Sequence, residues 1–288
     1  MARSVVLGLY ALLVVIWSST WVAIRIGVED VPPLLGAGVR FALAGGGLLV
    51  VARLTRRPLR SDPVLVTVLA LGPFATTYGL IYWAEQHIPS GLTAVLFGVL
   101  PIYTAVLVLL FLREEPVHPR FFAGVGIAIA GLVLAFGESL ELSASSRAAL
   151  AAAAVVVSPI ASAIGTIAQK RRGAGLDAFS LNGWAMLIAG GVLLAASVVG
   201  DPAGGGDWTP EAVASTLYLA VFGSAVTFVV LTVLLRELPA VTMSYLPLVL
   251  PFGALAFGWA LEGEPLTLPA LAGAGLVAAG LAVAQRRA

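Results

Sequence analysis

Two short stripes of side chains carry most of the chemistry in this sequence. Between residues 63 and 86, Phe74, Tyr78, Tyr82 and Glu85 recur at intervals of four, four and three, which places them on one face of a helix. Between 146 and 170, Ser158, Ser162, Thr166 and Gln169 repeat that spacing. Aromatic rings facing a line of hydroxyls and an amide suit a small-molecule site, because rings stack on apolar groups while hydroxyls and amides fix orientation. The same residue types also serve as interfacial anchors and as small packing residues, so both readings stand. Covalent chemistry is poorly supplied. There is no cysteine, the two histidines His87 and His118 fall in loops, and no aspartate lies at the centre of an apolar stretch. A buried nucleophile with its base, or a pair of aspartates, is missing, so no enzymatic activity, metal site or cofactor is expected. The sequence also lacks the glycine-lysine loop of a nucleotide-driven pump.

Charge and proline add further candidates. Arg40 is the one charge well inside an apolar stretch, at a cost of about 2.5 to 3.5 kcal/mol on insertion scales. It either receives a carboxylate, or bonds carbonyls and snorkels outward. Glu85 either draws an ammonium group at the outer mouth of a cavity or sits as an interfacial carboxylate beside Gln86 and His87. Pro101 frees the carbonyl of Phe97, Pro247 that of Met243, and Pro251 that of Pro247. Freed carbonyls in lipid need partners, and these can hold a substrate ammonium group or mark hinges. Trp17, which shares a face with Trp21, completes the candidate lining with Phe97, Tyr103, Ser244 and Tyr245.

The elements that must position these groups are membrane helices. Apolar residues make up 60% of the 288 positions and charged ones only 11%, with a mean hydropathy of +1.02; a soluble domain has no means of hiding that much apolar surface. About 20 apolar residues are needed per crossing. Charges and turn residues divide the chain into ten such spans, at 4–28, 33–54, 63–86, 90–112, 117–137, 146–170, 176–200, 210–235, 240–261 and 267–285. The runs are long and do not alternate, which excludes a β-barrel pattern. The first is too long for a secretory signal and carries Trp17 and Trp21.

Thirteen of sixteen basic residues gather on one side: Arg3, Arg53, Arg56, Arg57, Arg60, Arg113, Arg120, Lys170, Arg171, Arg172, Arg236, Arg286 and Arg287. Cytoplasmic loops retain Lys and Arg, so both termini are expected in the cytoplasm of a cell whose inner membrane holds the chain.

The chain also repeats itself. Pro89, Pro101 and Glu115-Pro116 in the first half correspond to Pro239, Pro251 and Glu264-Pro265 in the second, and Gly124, Gly126, Gly131 and Leu132 correspond to Gly273, Gly275, Gly280 and Leu281. Two units are expected, 1–138 and 146–288. Each holds five helices, an odd number, so the two must be inverted relative to one another, a recurrent plan of secondary transporters. The expected fold is an all-α membrane protein of ten transmembrane helices in two inverted five-helix repeats.

Trp17-Ser18-Ser19-Thr20-Trp21-Val22-Ala23, the stretch from Pro33 through Arg40-Phe41 to Ala44-Gly45, and that from Ala84 through Pro101 to Glu115-Pro116 with its echo from Leu234 to Glu264-Pro265, resemble the EamA-type ten-helix transporters of the drug/metabolite transporter superfamily, and among them exporters of aromatic amino acids. In the seventh span Asn182-Gly183-Trp184 stands where the second has Arg-Phe, a departure from the pattern. The resemblance implies an exporter of small neutral metabolites, with neutral amino acids bearing aromatic or bulky side chains as substrate, working by alternating access in the lipid bilayer. No nucleic-acid partner is implied, and the oligomeric state is left open, a monomer being compatible with the pattern. The small multidrug exporters of the superfamily use a glutamate in helix 1, where this chain has Trp17, Ser18, Ser19 and Thr20. A proton-coupled exporter of drugs or lipophilic cations is the alternative, and it would need Glu85 or another acid to carry the proton.

Overall fold

The computed structural model describes residues 1–112, 115, 117–137, 145–201, 205–257 and 267–285. Among these, every regular element is helical. Nine helices have the length and apolarity to cross a bilayer: α1 Arg3–Asp30, α2 Pro33–Leu54, α3 Pro63–Glu85, α4 Ser90–Phe111, α5 Pro119–Phe136, α6 Ser146–Arg172, α7 Ala178–Gly200, α8 Pro210–Glu237 and α10 Leu268–Gln285. Between the last two runs α9, made of Ala240–Met243 and Leu246–Phe257. Arg113, Pro116, Glu264, Pro265, Arg286 and Arg287, which belong to the basic side and to the repeat, lie outside the described residues.

Helix starts follow local chemistry. Proline occupies the first turn of α2, α3, α5 and α8, where its missing N–H costs nothing. Asp62 accepts from the main-chain N–H groups of Val64 and Leu65 at the start of α3, and Asp177 from those of Phe179 and Ser180 at the start of α7. Both cap donors that would otherwise be unpaired.

Several helices are interrupted within the bundle. α3 contains a π-helical turn over Ala70–Thr77 and α8 another over Val221–Val226, in corresponding helices of the two halves. α4 breaks at Gly98–Val99 and α9 at Ser244–Tyr245. Pro101 and Pro247 each stand second in the half-helix that follows the break, and Pro251 lies inside a helix. α6 breaks at Ser158, ahead of Pro159. Pro159 cannot donate to the carbonyl of Val155, and the Ser158 hydroxyl donates to it instead at 3.1 Å.

Two crossings tie the halves together. α2 lies along α7 and α5 along α10. Each of the four helices carries two glycines seven residues apart, at Gly38 and Gly45, Gly183 and Gly190, Gly124 and Gly131, Gly273 and Gly280. A Cβ added at Gly190 would lie 2.6 Å from the Ala42 main-chain nitrogen, and one at Gly131 2.6 Å from the Gly273 carbonyl. Lipid offers no hydrophobic drive for helix association, so close backbone approach at small residues supplies the packing energy. α7 lacks the Arg-Phe of α2 but shares its glycine spacing.

Candidate functional site

A cavity of about 120 Å³ lies inside the bundle, walled by α1, α3, α4, α6, α7, α8 and α9. Trp17, Thr20, Trp21 and Ile24 come from α1, Phe74, Thr77, Tyr78 and Ile81 from α3, and Phe97, Leu100 and Thr104 from the two halves of α4. Ser162, Thr166 and Gln169 of α6, Asn182 of α7, Phe228 of α8, and Ser244 and Pro247 of α9 close it. None of its lining residues is charged.

Four rings of its aromatic wall form one connected cluster, and two more form a separate pair. The Phe228 ring lies 4.8 Å from that of Phe74, 5.5 Å from Trp17 and 6.1 Å from Tyr78, all edge-on. Trp21 meets Phe97 at 5.8 Å. Edge-on rings at these separations attract through their quadrupoles. The polar wall is mostly committed to the protein. Gln169 Nε2 and Asn182 Nδ2 both donate to Thr232 Oγ1, at 2.7 and 2.8 Å. Thr77 Oγ1 donates to the Ser158 carbonyl at 3.0 Å and shares a hydrogen bond with Ser162 Oγ, also at 3.0 Å. Two buried groups on the lining have no partner, Trp21 Nε1 and Thr104 Oγ1. A buried polar group left unpaired costs about 1 to 3 kcal/mol, so a solute that hydrogen-bonds to them recovers that penalty.

Behind Tyr78 stands Arg40, fully buried on α2. Its Nε donates to Ser224 Oγ at 2.7 Å, Nη1 to Tyr82 Oη at 3.2 Å and Nη2 to the Gly223 carbonyl at 3.0 Å. The guanidinium also lies over the Tyr78 ring, 4.7 Å from its centre, a cation–π arrangement. Trp17 Nε1 reaches the same Gly223 carbonyl at 3.4 Å. Gly223 belongs to the π-turn of α8, so one irregular turn in the second half is held by α1 and α2 of the first. Arg40 therefore bonds a carbonyl and two hydroxyls within the bundle, and its side chain does not reach an aqueous surface.

Trp17, Tyr78, Phe97, Ser162, Gln169, Ser244 and Pro247 converge on the cavity. The remaining sequence candidates are placed elsewhere. Tyr82 is tied to Arg40. Ser158 is spent on its own helix break. Tyr245 is buried and stacked on Phe121 at 5.8 Å in a separate apolar cluster with α5. Tyr103, Pro101 and Pro251 lie off the lining. Glu85 is fully buried rather than interfacial, and neither of its carboxyl oxygens has a hydrogen-bond partner. Phe228, Thr104 and Asn182 also line the cavity, beyond the residues that sequence spacing points to. Phe228 heads the short apolar run Phe228–Leu231, and only Asn182, the departure from the repeat pattern, gives a signal.

The EamA-like transporter family matches the chain twice, over residues 5–137 and 149–285. The chain is 35% identical to "Uncharacterized inner membrane transporter YedA" of Escherichia coli (strain K12), over 88% of this chain and 82% of that protein. It is 27% identical to "Uncharacterized transporter YoaV" of Bacillus subtilis (strain 168), over 96% and 95%. It is 28% identical to a "Probable terminal-alkyne amino-acid exporter" of Streptantibioticus cattleyicolor, over 96% and 92%. A crystal structure superposes with a TM-score of 0.82 at 16% identity, covering 99% of this chain and 97% of the other, which supports the fold.

Proposed function

Because the chain belongs to the EamA-like transporter family, and is thus a multi-pass membrane transporter and not an enzyme, we propose that it exports neutral amino acids with aromatic or bulky apolar side chains. The observation that carries this reading is the uncharged cavity walled by Trp17, Trp21, Phe74, Tyr78, Phe97 and Phe228, in which Trp21 Nε1 and Thr104 Oγ1 have no partner. The rings suit a flat or bulky apolar group, and the two free polar atoms suit its polar end. The absence of Lys and Arg on the wall disfavours a phosphorylated solute, whose charge would need offsetting. The amino-acid class is further supported by the relative whose name describes a probable amino-acid exporter.

At about 120 Å³ the cavity is smaller than the roughly 300 Å³ at which ordinary ligand sites begin. Entry of such a solute therefore requires the halves to separate. The interruptions in α3, α4, α8 and α9 lie beside the cavity and are the points at which a helix bends with least loss of main-chain hydrogen bonding; Pro101, Pro247 and Pro251 are assigned to these hinges. Alternating access then consists of rocking one half against the other. The gathering of basic residues in alternate loops supports cytoplasmic termini, and a relative described as an inner membrane transporter supports the inner membrane as location.

The test is uptake of labelled phenylalanine, leucine and a nucleotide sugar into liposomes holding the purified protein. Trp17→Ala and Tyr78→Ala variants, matched for incorporation, should lose most phenylalanine flux. Equal flux through both would remove the aromatic wall from the account. A reporter fused to the C-terminus checks the orientation, with cytoplasmic activity expected.

A further inference from the structure

Among the described residues two charged side chains are buried, Arg40 and Glu85. Arg40 is fully engaged. Glu85, at the last turn of α3, has no partner on either carboxyl oxygen. The segment Tyr78–Glu85 packs against α1, α2, the first half of α4 and the first half of α6. On α1 the charges at this end are Arg25, Glu29 and Asp30. Arg25 Nη1 donates to the main-chain carbonyl of Glu85, not to its carboxyl, and Arg25 Nε faces Glu29 at 3.5 Å. Asp30 accepts from the Thr209 hydroxyl. On α2, Arg40 is committed to Tyr82, Ser224 and Gly223. The first half of α4 carries no charge, and Arg147 of α6 is exposed. His87, in the turn beyond, holds the Trp83 carbonyl. Among the described residues no side chain hydrogen-bonds or ion-pairs with the Glu85 carboxyl in this conformation, and a buried carboxyl without such a partner is less costly neutral than ionised.

We propose that Glu85 is the proton-binding site of the transport cycle, protonated in the arrangement seen here and ionised when the bundle opens further, so that solute export is exchanged for protons. The inference rests on the transporter reading above. Glu85 lies one helical turn beyond Ile81, which lines the cavity, so α3 joins the proton site to the solute site. Arg25, with 43% of its side chain exposed, holds the main-chain carbonyl of the same residue and is the partner an ionised Glu85 can reach. In the outward-open state a proton from outer water adds to the carboxylate and forms the O–H bond. In the inward-open state that bond breaks and the proton leaves through the cavity to cytoplasmic water. No other bond changes. Because the two protonation states prefer different conformations, proton binding and rocking are linked.

The experiment uses the purified full chain in liposomes, with the membrane potential clamped and phenylalanine as probe. With one proton exchanged per solute, a one-unit pH gradient should sustain a roughly tenfold phenylalanine gradient. In Glu85→Gln, phenylalanine inside and outside should stay equal. Phenylalanine movement in the unaltered protein with no gradient sustained by pH, or an equal gradient in Glu85→Gln, overturns the proton site and leaves the transporter reading intact. Arg25→Gln, a change at a half-exposed side chain, should move the pH of half-maximal flux upward; an unmoved midpoint overturns the pairing on opening. Should the unaltered protein move no phenylalanine, the substrate reading fails, and infrared difference spectra still decide this proposal. A carboxylic-acid C=O band that disappears on raising pH and is missing in Glu85→Gln is expected, and identical spectra for the two proteins overturn it.

Discussion

At the residue scale Arg40 unites more of the site than any other side chain. It joins Tyr82 of α3 to Ser224 and Gly223 of α8 and lies over Tyr78. Lysine keeps the charge but lacks the planar fork that reaches three acceptors in different directions. Arg40→Lys should therefore destabilise the protein by about 2 to 3 kcal/mol, measured as a lowered midpoint of thermal unfolding followed by tryptophan fluorescence. An unchanged midpoint would show the clamp to be idle. Phe228→Ala removes the ring that Trp17, Phe74 and Tyr78 all meet and should cost about 3 kcal/mol or more of stability, along with phenylalanine flux. Sequence spacing found Trp17, Tyr78, Ser162 and Gln169, because aromatic and hydroxyl residues at helical intervals stand out against Leu, Val and Ala. It could not find Phe228, one apolar residue in a run of them. Nor could it separate Tyr245, which stacks on Phe121, from a cavity residue, since a helix break leaves facing undetermined. Glu85 reads as interfacial because polar residues follow it, yet the packing of α1 and α6 buries it.

At the element scale, span boundaries were legible because prolines, capping aspartates and charges mark both ends. The first span expected at 4–28 is Arg3–Asp30, and the second, at 33–54, is Pro33–Leu54. The π-turns were not legible, since an i→i+5 turn needs no special residue; Pro73 alone marks the one in α3. The glycine pairs yield a matched test. Gly190 meets the α2 backbone, while its neighbour Gly191 has nothing within 4 Å. Gly190→Val should cost about 1 to 3 kcal/mol by overpacking, whereas Gly191→Ala should leave stability unchanged or raise it slightly; equal thermal midpoints would contradict the α2–α7 seam. Ser158→Ala strands the Val155 carbonyl beside Pro159 and should cost about 1 kcal/mol, read the same way.

At the scale of the whole molecule, the two halves are joined at the basic end by ion pairs. Asp62 pairs with Arg172 at 2.7 Å, Arg57 with Asp177 at 3.0 Å and Glu115 with Lys170 at 3.0 Å. Glu115 also accepts from the Ala240 main-chain N–H at 2.8 Å, capping α9 from the other half. The main-chain N–H of Leu65, followed by the hydrogen bond and charge of Arg172, holds the Asp62 carboxyl below its ordinary value of 3.8. A lowered folded value means that this contribution is present above 3.8 and is lost as pH falls through the folded value. Asp62→Asn should accordingly flatten the acid limb of the stability profile, measured by unfolding midpoints on either side of about pH 4. The repeat itself was legible from Pro89, Pro101 and Gly124 against Pro239, Pro251 and Gly273, because inverted copies keep the residues that bend or pack their helices. The solute was not, since it is read by a cavity assembled from seven helices.

The central claim is that these halves carry a neutral aromatic or bulky amino acid through the cavity between them. Its most direct test is efflux from liposomes containing only the purified protein, preloaded with labelled phenylalanine, a nucleotide sugar and a lipophilic cation. Selective loss of phenylalanine, abolished by Trp17→Ala, is the predicted result. Loss of the cation or the nucleotide sugar with phenylalanine retained would contradict the account.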